Sequence, residues 1–272
     1  MEDMKKSLLL SLFMLFVCKG YCQTEVRGRV VNERGTAVEY AGVWLENDSV
    51  GAISDIDGNF VIKVPKDSKN SLTFSHVSYQ KASVGYQTYS SGNELTVVLK
   101  DKVVELADVV IDKSRKPKNI MGRGVTALAD AGMRGKGREN GIEWGPTLKN
   151  KKNMVVSDIL LSIKKCTYKE CTLSINIYKV NGRKFVNILN KPLYHKVTQD
   201  SGRKQLHIVP EETIVLKGKT KYYITVSVVD SDAWGMIYFP SAFRTSYARR
   251  IETGKLKKLP VGPAIIVKGM EL

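Results

Sequence analysis

Ser54-Asp55-Ile56-Asp57-Gly58-Asn59-Phe60 reads as a tight turn that delivers the chain into a strand. Asp suits such a bend because its side chain can accept hydrogen bonds from the backbone a residue or two ahead. Gly suits it because it tolerates a left-handed backbone. Directly afterwards, Phe60-Val61-Ile62-Lys63-Val64 alternates, so Phe60, Ile62 and Val64 share one face. Upstream, Val26 to Leu45 supplies two strands around a turn at Gly35, with Ala41, Val43 and Leu45 facing away from Gly42, Trp44 and Glu46. Downstream, Leu72-Thr73-Phe74-Ser75 and Leu95-Thr96-Val97-Val98-Leu99 repeat the alternation. Gly28, Gly35, Gly51, Gly58 and Gly92 fall at or beside the breaks, and no window carries a strong helical period. Residues 23–112 are therefore predicted to form a small all-β sandwich.

The acidic turn also opens like a calcium loop. An EF-hand needs Gly at its sixth position and a bidentate acid at its twelfth. Counting from Asp55, Gly58 is fourth and Lys66 twelfth, so a purely structural turn is expected and no metal is assigned.

Four stretches together resemble a known family: Gly28-Arg29-Val30-Val31-Asn32-Glu33-Arg34-Gly35, Ala41-Gly42-Val43-Trp44-Leu45, Gly51-Ala52-Ile53-Ser54-Asp55-Ile56-Asp57-Gly58-Asn59-Phe60 and Leu72-Thr73-Phe74-Ser75-His76-Val77-Ser78-Tyr79. They look like the carboxypeptidase regulatory-like domain, and Val103-Val104-Glu105-Leu106-Ala107-Asp108-Val109-Val110-Ile111 is similar to the way such domains end. The resemblance implies a transthyretin-like β-sandwich, frequent in cell-envelope proteins of Bacteroidetes-type bacteria. Ala37 stands where the family usually has Pro and Ser78 where it usually has Gly; both affect only local turns. The family's best-known hosts are not expected here. A zinc carboxypeptidase needs His and Glu ligands at fixed spacing, and none of His76, His195 and His207 sits in an HxxE arrangement. A plugged transporter barrel needs about 22 strands, beyond what the rest of the chain can supply.

With 272 residues, the chain has room for about two domains. Its net charge of +16 is unevenly placed. Residues 23–112 hold 9 basic and 13 acidic residues, whereas 113–272 hold 31 and 12, a net +19. The N-terminus reads as an export signal over residues 1–22, with Lys5 and Lys6 ahead of an apolar run from Leu8 to Val17. That run is too short to span a bilayer as a helix. Cleavage after Cys22 would leave Gln23 first; a lipoprotein reading at Cys18 is the rival, weakened by Val17 before it. The expected location is the periplasm or the outer-membrane surface, with membrane association possible but no transmembrane helix in the mature chain. Cys166 and Cys171 would then be the remaining cysteines. They flank a four-residue link between strand-like segments, where a hairpin would let them form a disulfide or leave two reduced thiols.

Residues 113–119 read as a basic linker, and Ile120–Lys152 as Gly-rich loop or irregular strand. From Asn153 short alternating strands return at turns every 8 to 12 residues, including Tyr222, Ile224, Val226 and Val228 on one face. Residues 120–272 are thus predicted to be a second, jelly-roll-like sandwich.

Three functional readings compete for this half. Its charge suits an exported polyanion such as lipopolysaccharide or acidic polysaccharide, or an acidic envelope protein, rather than nucleic acid. The densest clusters are Lys255, Lys257 and Lys258 and the 113–118 run, against the reading of lysines dispersed for solubility. Trp144, Trp234 and Tyr238 are candidate aromatic platforms for a neutral glycan, against a role in the core. Ser201, Ser231 and the paired acids Glu211/Glu212 and Asp230/Asp232 lack any positioned catalytic constellation. The expectation is a non-enzymatic exported envelope protein without cofactor, binding an envelope partner through its basic half. Carbohydrate binding is the alternative and a hydrolase the least favoured reading.

Overall fold

The structure, a computed structural model, describes residues 23–102, 116–122, 124, 130–136, 141–182, 184–251 and 255–272. The expected signal segment 1–22, the domain ending at 103–111 and linker residues 113–115 lie outside the described residues.

The first half contains β1 (Gln23–Asn32), β2 (Gly42–Leu45), β3 (Gly51–Ile53), β4 (Asn59–Pro65), β5 (Leu72–Ser75), β6 (Ala82–Val84), a helical turn at Tyr86–Tyr89, and β7 (Leu95–Leu99). They form one sheet in the order β4-β1-β7 and another in the order β3-β2-β5-β6. β1 pairs antiparallel with β4 but parallel with β7. The alternation read from sequence sets what is buried. Phe60, Ile62 and Val64 from one sheet meet Val43, Leu45, Leu72 and Phe74 from the other in a single core. Tyr89 plugs its end, and its hydroxyl donates to the Asn70 carbonyl at 2.6 Å.

The second half contains β8 (Lys118–Gly122), β9 (Asp130–Gly135), β10 (Ile142–Lys149), β11 (Met154–Ser162), β12 (Lys165–Cys166), β13 (Glu170–Asn181) and β14 (Lys184–Asn187). It continues with β15 (Leu193–Thr198), β16 (Gln205–Ile208), β17 (Ile214–Leu216), β18 (Lys221–Ser231), β19 (Gly235–Arg250), β20 (Leu256–Pro263) and β21 (Ile265–Glu271). The larger sheet runs β12-β19-β10-β18-β13-β14, with β15 on β13 and both β9 and β20 on β19. The smaller runs β16-β11-β21-β8, with β17 on β11. Their facing sides share one core, with Leu173, Ile175, Tyr222, Ile224, Val226 and Val228 on the larger sheet and Ile159, Leu161, Ile265 and Val267 on the smaller. The links β10–β11 and β20–β21 pass between sheets, while the β13–β14 and β19–β20 hairpins stay within the larger one.

One expectation is narrowed and one corrected. Of the loop or irregular strand expected over Ile120–Lys152, the described residues show mostly strand, with most of β8 and all of β9 and β10, and β8 already begins within the expected linker. Gly132 is there for packing, since a Cβ would lie 2.6 Å from the Ile237 carbonyl oxygen and 2.9 Å from the Tyr238 ring. β19 runs from Gly235 through Pro240 to Arg250. It changes partners at Pro240, where pairing with β9 ends and pairing with β20 begins one residue later. The segments flanking the cysteines form no hairpin, because β11 and β13 belong to different sheets.

Candidate functional site

The sequence candidates do not converge. Trp144 is 4 % exposed, in the core with its ring 6.2 Å from Phe239, so it offers no platform. Trp234 is 66 % exposed at the turn between β18 and β19, and Tyr238 is half-buried nearby. Lys255, Lys257 and Lys258 are exposed on or beside β20, where Lys257 pairs with Ala248. Tyr238 and Ala248 stand ten residues apart on β19, roughly 33 Å along a strand. Lysine and proline on an edge strand such as β20 also discourage edge-to-edge pairing, which accounts for that cluster without a ligand. Cys166 and Cys171 are buried free thiols, not a disulfide. Burial pushes both thiols up, so little nucleophilic thiolate is present near neutral pH. His207 Nδ1 meets Asp158 Oδ2 at 3.1 Å. Among the described residues, no three His, Cys, Asp or Glu side chains group as metal ligands.

The convergence that does occur was not singled out from sequence. Leu148-Lys149-Asn150-Lys151-Lys152-Asn153 leaves β10, and Leu216-Lys217-Gly218-Lys219-Thr220-Lys221 enters β18. Because β10 and β18 are neighbours, Lys149 pairs directly with Lys221. The two loops are locked to each other by backbone and asparagine side-chain hydrogen bonds. Asn150, 3 % exposed, donates its N–H to Thr220 O at 2.9 Å and its Nδ2 to Leu216 O at 3.1 Å. Gly218 N–H donates to Asn153 Oδ1 at 2.8 Å, and a Cβ on Gly218 would come within 3.0 Å of Lys152 Cα. Lys219 takes a left-handed φ of 55°, a rare backbone for lysine. All six lysines are exposed, and among the described residues only Lys152 has an ion-pair partner, Glu271, which also meets Lys118. Like charges opposite each other on paired strands are destabilising, so the fold holds this cluster together against its own repulsion.

On the outer face of the larger sheet lies a different arrangement, a self-neutralised charge. Glu143 on β10 is 2 % exposed. Its Oε1 accepts from Tyr178 at 2.6 Å and Asn176 at 3.1 Å, and its Oε2 from Arg249 Nε at 3.0 Å and also from Arg249 Nη2. The guanidinium lies 4.5 Å from the Tyr178 ring centroid. Burial alone would lower the Arg249 pKa, but Glu143 outweighs it and holds the guanidinium above its usual range.

The turn from which the fold was read shows every feature of a structural bend. Asp55 Oδ1 accepts from the N–H groups of Asp57 at 3.0 Å and Asn59 at 2.8 Å. Gly58 adopts φ of 79°, and a Cβ there would sit 2.4 Å from the Val30 carbonyl oxygen. Ser54 Oγ, buried, joins the Ala41 N–H to the Val38 carbonyl. Residues 26–111 match the model of the CarboxypepD_reg-like domain. This segment is a carboxypeptidase regulatory-like domain. Such domains are non-catalytic β-sandwiches. No curated protein matches the chain. The regulatory-like domain is joined to the second sandwich by a small apolar clamp of Tyr40, Ile53 and Val229, with Tyr194 packed against it. The Tyr40 and Tyr194 rings meet edge-on at 4.9 Å, and His76 Nε2 contacts the Tyr194 hydroxyl at 3.3 Å. Burial brings the His76 pKa down to about 4.

Proposed function

We propose that the chain is a non-catalytic exported protein of the cell envelope that binds an anionic partner, lipopolysaccharide or acidic polysaccharide, or an acidic envelope protein, through its second sandwich. The observation that carries this reading is the pair of interlocked loops presenting Lys149, Lys151, Lys152, Lys217, Lys219 and Lys221, of which only Lys152 is ion-paired among the described residues. A surface meant only to be soluble has no reason to seat Lys149 opposite Lys221. A partner bearing several phosphates or carboxylates supplies one, because it relieves the repulsion as it binds. Export rests on the basic and apolar N-terminal stretch. The regulatory-like domain serves as the rigid neighbour against which the second sandwich is clamped. The experiment is a titration of lipopolysaccharide and of an acidic polysaccharide into the full chain and a variant with Lys149, Lys151, Lys217, Lys219 and Lys221 changed to Gln. Binding that is lost in the variant supports the reading, and equal binding by both proteins removes it.

A further inference from the structure

A cleft of about 560 Å³ separates the outer face of the β3-β2-β5-β6 sheet from the outer face of the larger second sheet. Its size falls within the roughly 300–1,000 Å³ of small-ligand sites. We propose that this cleft binds a neutral saccharide, a site separate from the lysine loops.

The floor carries the first part of the case. Ser227 on β18 lines the cleft, is 2 % exposed, and its Oγ has no hydrogen-bond partner among the described residues. A buried hydroxyl in that condition lowers stability unless something pairs with it. Ser174 stands directly opposite on β13, its Oγ accepting from Asn176 Nδ2 at 3.3 Å, and Asn176 Oδ1 accepts from Asn187 at 2.8 Å, so the groups beside Ser227 are neutral, polar and held in place by one another.

The second part is charge. The strong ions of the floor, Glu143 and Arg249, already hold each other through two hydrogen bonds. A charged ligand would have to break that buried pair to use either one. An uncharged ligand leaves it intact.

The third part is the walls. Trp44 and Tyr79 line the cleft from the regulatory-like domain, and Phe185 and Tyr194 from the second sandwich, all half-buried. Gly42 gives the Trp44 indole room to lie along its sheet, since a Cβ there would meet Trp44 Cζ3 at 2.8 Å. A pyranose ring has an apolar C–H face and a hydroxyl edge, so it suits aromatic walls around an uncharged polar floor. Lys81 and Lys102 also line the cleft, which makes acidic sugars the comparison that matters.

The test is a glycan array of neutral and acidic saccharides, probed with labelled full chain, followed by titration of the best neutral binder. Ser227→Ala removes the hydroxyl at nearly constant volume and Trp44→Ala removes one wall. Each is expected to weaken the neutral ligand about tenfold, the loss typical of one hydrogen bond or ring contact. Ser227→Ala is also expected to unfold at the same or higher denaturant concentration, because the hydroxyl it removes has no partner among the described residues, which separates lost binding from lost folding. The lysine-loop variant is expected to keep this binding. No signal on neutral glycans, stronger binding of acidic glycans that survives the lysine-loop change, or affinity untouched by both cleft substitutions would each overturn the proposal.

Discussion

The two sandwiches are built alike, each from alternating strands in two sheets around one core, yet they use the polar residues of their loops in opposite ways. In the regulatory-like domain, loop side chains turn back onto the backbone. Asp55 caps two N–H groups, Asn32 Oδ1 accepts from Arg34 and Thr36, and Ser54 bridges Ala41 and Val38. In the second sandwich Asn150 and Asn153 do that work for a whole loop pair, and the lysines around them are exposed. Side chains that satisfy the backbone explain themselves through the fold. Charges gathered against their own repulsion point to something outside it.

That contrast can be broken or sharpened in four ways. The largest effect is expected at the buried ion pair of the second sandwich. Arg249→Met leaves Glu143 charged and unpaired, and should cost about 3–5 kcal/mol in urea unfolding. Adding Glu143→Leu should restore most of it; no recovery in the double variant would mean the pair is not coupled. Next is the clamp between the halves. His76 has a folded pKa of about 4, below its usual 6.5, so between these values the unfolded chain binds a proton that the folded chain does not. Stability should therefore be unaffected above pH 7 and fall as pH drops from about 6.5 to 4, by up to about 3 kcal/mol. Unfolding curves of wild type and His76→Phe across that range should converge in slope only above pH 7. Third, Gly58→Ala in the regulatory-like domain should cost about 2 kcal/mol, read as a lower midpoint, because it strains a left-handed backbone against the Val30 carbonyl. Smallest is the stability change from neutralising the loop lysines. It should stay within about 0.5 kcal/mol and tend towards stabilisation, whereas a capping role would make it plainly destabilising.

The regulatory-like domain was legible from local pattern because its information is local. Phe60, Ile62 and Val64 alternate within one strand, and Asp55 and Gly58 specify their own turn. The second sandwich was legible as alternating strands but not as a surface. Lys149 and Lys221 are 72 positions apart, and only the pairing of β10 with β18 makes them neighbours. Lys255, Lys257 and Lys258 attracted attention because they are adjacent in sequence, although they lie on or beside an edge strand that lysines commonly protect. Trp144 misled for a related reason. Its place between Glu143 and Gly145 gives no hint that β10 is covered on both faces, by Phe239 on one side and by Tyr178 and Arg249 on the other. Pro240 hid half of β19, since a proline usually ends a strand and here marks an exchange of partners.

The most direct measurement compares the two lysine groups. Affinity for lipopolysaccharide is followed from low to physiological salt for wild type, for the loop variant lacking Lys149, Lys151, Lys217, Lys219 and Lys221, and for a variant with Lys255, Lys257 and Lys258 changed to Gln. The account predicts that wild type and the β20 variant bind alike and weaken steeply as salt rises, while the loop variant loses both the affinity and its salt dependence. Equal loss in the two variants, or binding indifferent to salt, would contradict it.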